Sequence, residues 1–103
     1  MTHEETANII LKQMGGYNRL YAMIGIDGMY YGEDSDRPYL QFSFKGSREH
    51  NKCRVILDHS DTYIFQLYKI GRGKCEKTFE QADTYCDMLI ETFEQVTGLD
   101  LSL

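Results

Sequence analysis

The sequence predicts an α+β fold: a single antiparallel sheet of five to six strands, flanked by an N-terminal and a C-terminal helix packed on one face. Three observations predict it. Both ends of the chain carry apolar residues at helical spacing. The middle alternates apolar with polar residues, the period of a half-buried strand. The links between the alternating runs are short and rich in Gly, Asp and Ser, which joins neighbouring strands antiparallel. A sheet with one apolar face needs a cover, and two amphipathic helices supply it. At 103 residues the chain has room for one domain, 1–103, with a single core.

The elements follow in order. Thr2-His3-Glu4-Glu5 fits a capping box, in which hydroxyl and carboxylate satisfy the orphan amides of a helix start. Ala7, Ile10, Leu11 and Met14 then form one helical stripe over about residues 3–14, and Gly15-Gly16 caps its end. Arg19–Ile24 alternates, with Leu20, Ala22 and Ile24 on one side, and reads as a strand. Asp27-Gly28 reads as a hairpin turn into a short return strand, Met29–Tyr31. Gly32–Pro38 is an acidic loop. Tyr39–Lys45 is the cleanest strand, with Leu40, Phe42 and Phe44 inward. Lys52–Leu57 follows with Cys53, Val55 and Leu57 inward, then Thr62–Ile70, then a tight Gly71-Arg72-Gly73 turn into Lys74–Phe79. The last helix is expected within 81–97, with Ala82, Cys86, Leu89, Ile90, Phe93 and Val96 on its inner face. Leu99, Leu101 and Leu103 form an apolar tail that is costly to expose, so it should dock on the core or add an edge strand.

Charge is sorted along the chain. Residues 45–77 hold eight of the eleven basic residues against four acids, whereas 78–103 hold six acids and no Lys or Arg. A basic sheet with an acidic helix is electrically two-faced, which orients and steers a partner. Three cysteines, Cys53, Cys75 and Cys86, show no paired spacing. Neither a disulfide framework nor a zinc site is expected, and reduced thiols serve as small apolar groups. The opening MTHEETANII has no basic region followed by an apolar run, so no secretory signal is expected. No apolar run is long enough to span a membrane.

Three segments carry a resemblance. GGYNRLYAMIG at Gly15–Gly25, DTYIF at Asp61–Phe65, and the ending Thr97-Gly98-Leu99-Asp100-Leu101-Ser102-Leu103 resemble, in order and spacing, a group of small proteins encoded in bacteriophages, prophages and plasmids. Tyr17, inserted within the GG-N segment, departs from that group's spacing. The resemblance implies a mobile-element origin and a bacterial cytoplasm. It carries over no catalytic or binding residue.

Motifs for chemistry are weak. Gly71-Arg72-Gly73 lacks the context of a phosphate loop and lies in a hairpin; turn glycine is the simpler reading. His3, His50 and His59 fall near a terminus and in loops, and residues adjacent in Asp58-His59-Ser60-Asp61 do not adopt triad geometry. Surface loop histidines are expected. Glu33-Asp34-Ser35-Asp36 lacks the spacing of a calcium loop, and a solvated acidic loop explains it. No metal, cofactor or catalytic residue is assigned, and a hydrolase using Cys or His is set aside.

The candidate interaction surface is the outer sheet face: Tyr39, Gln41, Lys45, Lys52, Arg54, Gln66 and Tyr68, with Arg72 and Lys74 beside it. Ser43 lies among them. Two uses compete with a plain solvated face. Tyr and Arg are favoured anchors of protein interfaces, while cations near aromatics on an open sheet suit single-stranded nucleic acid. The element order also resembles double-stranded RNA-binding domains, but the basic helix start of that family is missing. A sequence pI near 5.1 opposes nucleic acid. The expected function is therefore a small non-enzymatic accessory protein that binds a protein partner, such as a bacterial host or defence protein. Single-stranded nucleic-acid binding is the alternative, and self-association stays open.

Overall fold

The computed structural model describes residues 2–101. They form helix α1 (His3–Gln13), helix α2 (Tyr17–Ile24), strands β1 (Asp27–Asp34), β2 (Arg37–Ser43), β3 (Lys52–Leu57), β4 (Tyr63–Gly71) and β5 (Lys74–Thr84), a 3-10 turn at Cys86–Met88, and helix α3 (Leu89–Thr97). The five strands make one antiparallel meander in the order β1-β2-β3-β4-β5. The predicted α+β class and the strand-rich middle hold.

One core lies between the sheet and the helices. Leu40, Phe42, Phe44, Cys53, Val55, Phe65 and Leu67 face it from the strands; Ala7, Ile10 and Met14, Leu20 and Ile24, and Leu89 and Phe93 meet them from the three helices. Leu11 and Leu57 pack at its margin. Phe93 is central, its ring centroid 5.0 Å from Phe44, 6.4 Å from Phe65 and 6.5 Å from Phe42. The tail docks as expected without becoming a strand: Leu101 is buried, its amide donates to Glu94 Oε2 at 2.8 Å, and Leu99 lies against Gly46. Leu103 lies outside the described residues.

Several boundaries differ from the sequence reading. Arg19–Ile24 belongs to α2, not to a strand. Leu20 and Ile24 satisfy both a two-residue and a four-residue period, but Ala22, which alternation places beside them, is exposed. A helix satisfies its own amides, whereas a strand here would need a sixth place in the sheet. Gly15 and Gly16 make the corner, with φ of +110° and +90°. Gly16 closes α1 through its amide on the Leu11 carbonyl (2.9 Å) and opens α2 through its carbonyl on the Leu20 amide (3.1 Å). It therefore precedes a helix as well as following one.

Asp27-Gly28 is not a hairpin turn. It starts β1, where the register shifts between Asp27 and Tyr30 in a bulge. The Gly32–Pro38 loop is mostly strand; the turn is Ser35-Asp36 alone, both at positive φ. The last helix starts late, because Gln81 and Thr84 still pair with Phe65 and Tyr63 of β4. Ladder bonds in the sheet outweigh an added helical turn, and Asp83 at φ +54° lies where the register shifts, just before the strand ends at Thr84.

That late start overturns the burial expected of Ala82 and Cys86; both are exposed. Cys75 is exposed as well, while Cys53 is fully buried and its burial pushes the thiol pKa up. A thiol reagent should therefore label Cys75 and Cys86 quickly in the native protein and Cys53 only on unfolding. Rapid native labelling of Cys53, read by mass spectrometry of its peptide, would place β3 outside the core.

Candidate functional site

All three helices cover the inner face, so the outer face of the sheet carries no helix. Its central row is set by register: Tyr30, Gln41, Arg54, Gln66 and Glu80 are successive cross-strand partners from β1 to β5. A second row runs Ser43, Lys52, Tyr68 and Lys77, and a third runs Gly32, Tyr39, Ile56 and Ile64. Opposed side chains on one face lie close enough to bond, and here they do.

Arg54 is the hub. Its Nε and Nη2 donate to Gln41 Oε1 at 2.8 and 2.5 Å, and Gln41 Nε2 donates to Tyr30 Oη. The guanidinium carbon lies 4.3 Å from the Tyr39 ring centroid and 5.9 Å from that of Tyr68, within cation–π range. Tyr39 is seated over Gly32, where an added Cβ would come 2.7 Å from the tyrosine oxygen. On the β4–β5 side, Tyr68 Oη donates to Gln66 Oε1 (2.8 Å), and Gln66 Nε2 donates to Glu80 Oε1 (2.7 Å). Lys77 Nζ donates to the same Glu80 oxygen at 2.9 Å. The bulge between Leu67 and Tyr68 puts Lys77 and Glu80 on the same face. Lys77 and then Gln66 hold the Glu80 carboxyl below the ordinary glutamate range, and Glu80 raises the Lys77 ammonium.

Gln41 and Gln66 are buried in this layer, and among the described residues no buried side-chain nitrogen or oxygen lacks a partner. Polar groups buried and fully satisfied give one rigid arrangement. Beside Arg54 the face dips into a depression of about 180 Å³ lined by Gln41, Lys52, Arg54, Tyr68 and Cys75.

Of the nine surface residues read from the sequence, six meet here: Tyr39, Gln41, Lys52, Arg54, Gln66 and Tyr68. Lys45 does not. It lies beyond β2, its amide bonded to the Ile24 carbonyl and its stem against Gly25 on the helix side. Arg72 and Lys74 sit at the tip of the β4–β5 hairpin, where residues 70–78 are all exposed. Sequence reasoning missed Tyr30, Cys75, Lys77 and Glu80. Tyr30 had a signal, an aromatic within the expected return strand Met29–Tyr31; Glu80 had none, because a bulge is not written in the alternation. Ile56, buried on the outer side and absent from the main core, was missed as well.

Charge follows the meander's ends more than its faces. The end built from residues 45–52 and 69–77 holds seven Lys or Arg against two Glu. The opposite end, 33–37 and 58–61, holds five acids against one Arg. There Arg37 bridges Asp34 (3.8 Å) and Asp58 (3.3 Å). The His59 backbone amide and then Arg37 lower the Asp58 pKa, while a hydrogen bond with Asp36 raises that of Glu33.

The histidines do not converge. His59 is exposed in the β3–β4 turn, whereas His50 is buried at the other end of β3, its Nδ1 2.7 Å from Thr78 Oγ1. The burial of His50 corrects its assignment to the surface. Among the described residues no cluster of three His, Cys, Asp or Glu is placed to hold a metal ion, and no helix is long and apolar enough to cross a membrane.

The Asp61–Phe65 and Thr97–Leu99 segments do structural work. Tyr63 Oη donates to Gln13 Oε1 (2.7 Å) and ties β4 to α1; burial raises its pKa. Thr97 Oγ1 donates to the Phe93 carbonyl (2.7 Å) and accepts from the Leu99 amide (3.1 Å), while Gly98 takes the left-handed cap of α3. Compared with protein-family models, curated proteins and solved structures, the chain matches none.

Proposed function

We propose that this protein is a non-enzymatic binding module that docks a partner protein on the outer face of its sheet. The carrying observation is the Tyr39–Arg54–Tyr68 cluster, held by Gln41 on a face that no helix covers. Interface anchors are most often Tyr, Trp and Arg, and anchors already fixed before binding lose less entropy on docking. Cys75 and Cys86 are exposed thiols, and the reading without catalysis rests on the placement of the other candidates. Cys53 is in the core with its thiol held protonated, and His50 and His59 stand at opposite ends of β3. With the resemblance to mobile-element proteins, this reading is of an accessory protein that acts on a bacterial host or defence protein by contact.

Single-stranded nucleic acid is the second reading, favoured by the open sheet and its basic end. It fits less well, because the Tyr39 ring that would stack a base already carries the guanidinium at 4.3 Å.

Affinity capture from bacterial lysate, with and without nuclease, separates the readings. Tyr39→Ala and Tyr68→Ala should each cost about 2 kcal/mol or more in affinity for one discrete, nuclease-insensitive protein. Capture that vanishes with nuclease, together with tight binding of oligothymidylate near physiological salt that is lost in Tyr68→Ala, would replace this reading by the second.

A further inference from the structure

The depression beside Arg54 has a chemistry of its own. Its five lining residues include two cations and no carboxylate. The Lys52 side chain makes no hydrogen bond or ion pair among the described residues. Arg54 turns Nε and Nη2 to Gln41, which leaves Nη1 uncommitted. The nearby acid in the outer-face network, Glu80, is taken up by Lys77 and Gln66, so it neutralises neither cation. Two cations without a counter-charge, Arg54 held in place and Lys52 free to turn to a ligand, line the dip and form a seat for an anion. The surroundings give the seat a direction. Arg72 and Lys74 extend the positive field to the tip of the β4–β5 hairpin, beyond Lys69, which faces Glu76 across the strands, and the five acids of 33–37 and 58–61, offset only by Arg37, repel an anion at the other end of the sheet.

We infer that the depression takes a carboxylate from an acidic segment of a protein partner, and that the segment runs from Lys52 and Arg54 out along the hairpin. This rests on the reading of the outer face as a protein-docking surface. A carboxylate fits better than a nucleic-acid phosphate on the same cations, since the Tyr39 ring is occupied and a phosphate chain would gain charge contacts without stacking.

Hexaglutamate, with blocked termini, is the probe, and hexaglutamine is its neutral control. In nitrogen-15 NMR at low salt, hexaglutamate should shift the signals of Lys52, Arg54, Tyr68 and Cys75, then those of Arg72 and Lys74. Hexaglutamine should shift none. Lys52→Glu should weaken hexaglutamate by about tenfold or more, while Lys12→Glu on α1 should leave it unchanged. The Lys52 side chain has no partner to lose, so the fold is expected to persist, which the same spectra check. Shifts spread evenly over exposed lysines, no binding, or oligothymidylate of equal charge binding more tightly through Lys52 would each overturn the assignment. So would a concentration-dependent dimer abolished by Lys52→Glu, which would make a second copy the occupant. Partner capture that depends on Tyr68 but is indifferent to Lys52→Glu would sink this inference and spare the docking surface. Capture indifferent to both would sink the docking surface itself.

Discussion

Phe93→Ala should lower the unfolding free energy by about 3–5 kcal/mol. Phe93 is fully buried, and it is the only residue of α3 whose ring is in contact range of three strand aromatics, Phe42, Phe44 and Phe65. Truncation removes the transfer energy of the ring and leaves a cavity between the sheet and the helices that close packing cannot fill. It also frees α3, a helix of nine residues, too short to persist without packing. Chemical denaturation of wild type and variant reads the difference. A loss below about 1 kcal/mol would mean that α3 is not docked on the sheet through this residue.

Arg54→Ala should cost about 2–3 kcal/mol, an unusual amount for a cation on a sheet surface. Removing the guanidinium orphans the buried Gln41 oxygen, at about 1–3 kcal/mol, and ends the contact with Tyr39, at about 0.5–2 kcal/mol. Arg54→Lys restores the charge but not the fork that places two donors on one oxygen, so it should recover less than half of the loss. The coupling is directly measurable. Gln41→Leu combined with Arg54→Leu should be less destabilising than the sum of the single changes by about 1 kcal/mol. Strict additivity would show that the network is not held in solution.

The elements that could be read from the sequence are those in which pattern, capping and packing agree. Thr2 caps α1 as the S/T-x-x-E spacing implies, its Oγ1 accepting from the Glu5 amide at 3.1 Å. Tyr39–Lys45 and Lys52–Leu57 alternate cleanly, and Leu40, Phe42, Phe44, Cys53 and Val55 are all in the core. Reading failed where a short run satisfied two periods. Leu20 and Ile24 fit a strand and a helix equally, and Ala22 between them completed the alternation. In α2 Tyr17 and Tyr21 lie one turn apart, stacked at 6.1 Å on the exposed side. The same ambiguity moved the start of the last helix, because Ala82 and Cys86 complete a helical stripe that the pairing of β5 with β4 overrides.

By itself the sequence determined the class, the strand faces and six residues of the candidate surface. Each of these follows from local periodicity, which fixes the side of a strand on which a side chain lies. Tertiary structure alone decided which of those residues touch. Cross-strand register aligned Gln41 with Arg54 and Gln66, and a bulge delivered Lys77 to Glu80. The meander gathered the basic segments 45–52 and 69–77 at one end of the sheet, although sixteen residues, 53–68, separate them. Periodicity carries no register between strands, so the anion seat, unlike the strands that build it, exists only in the folded sheet.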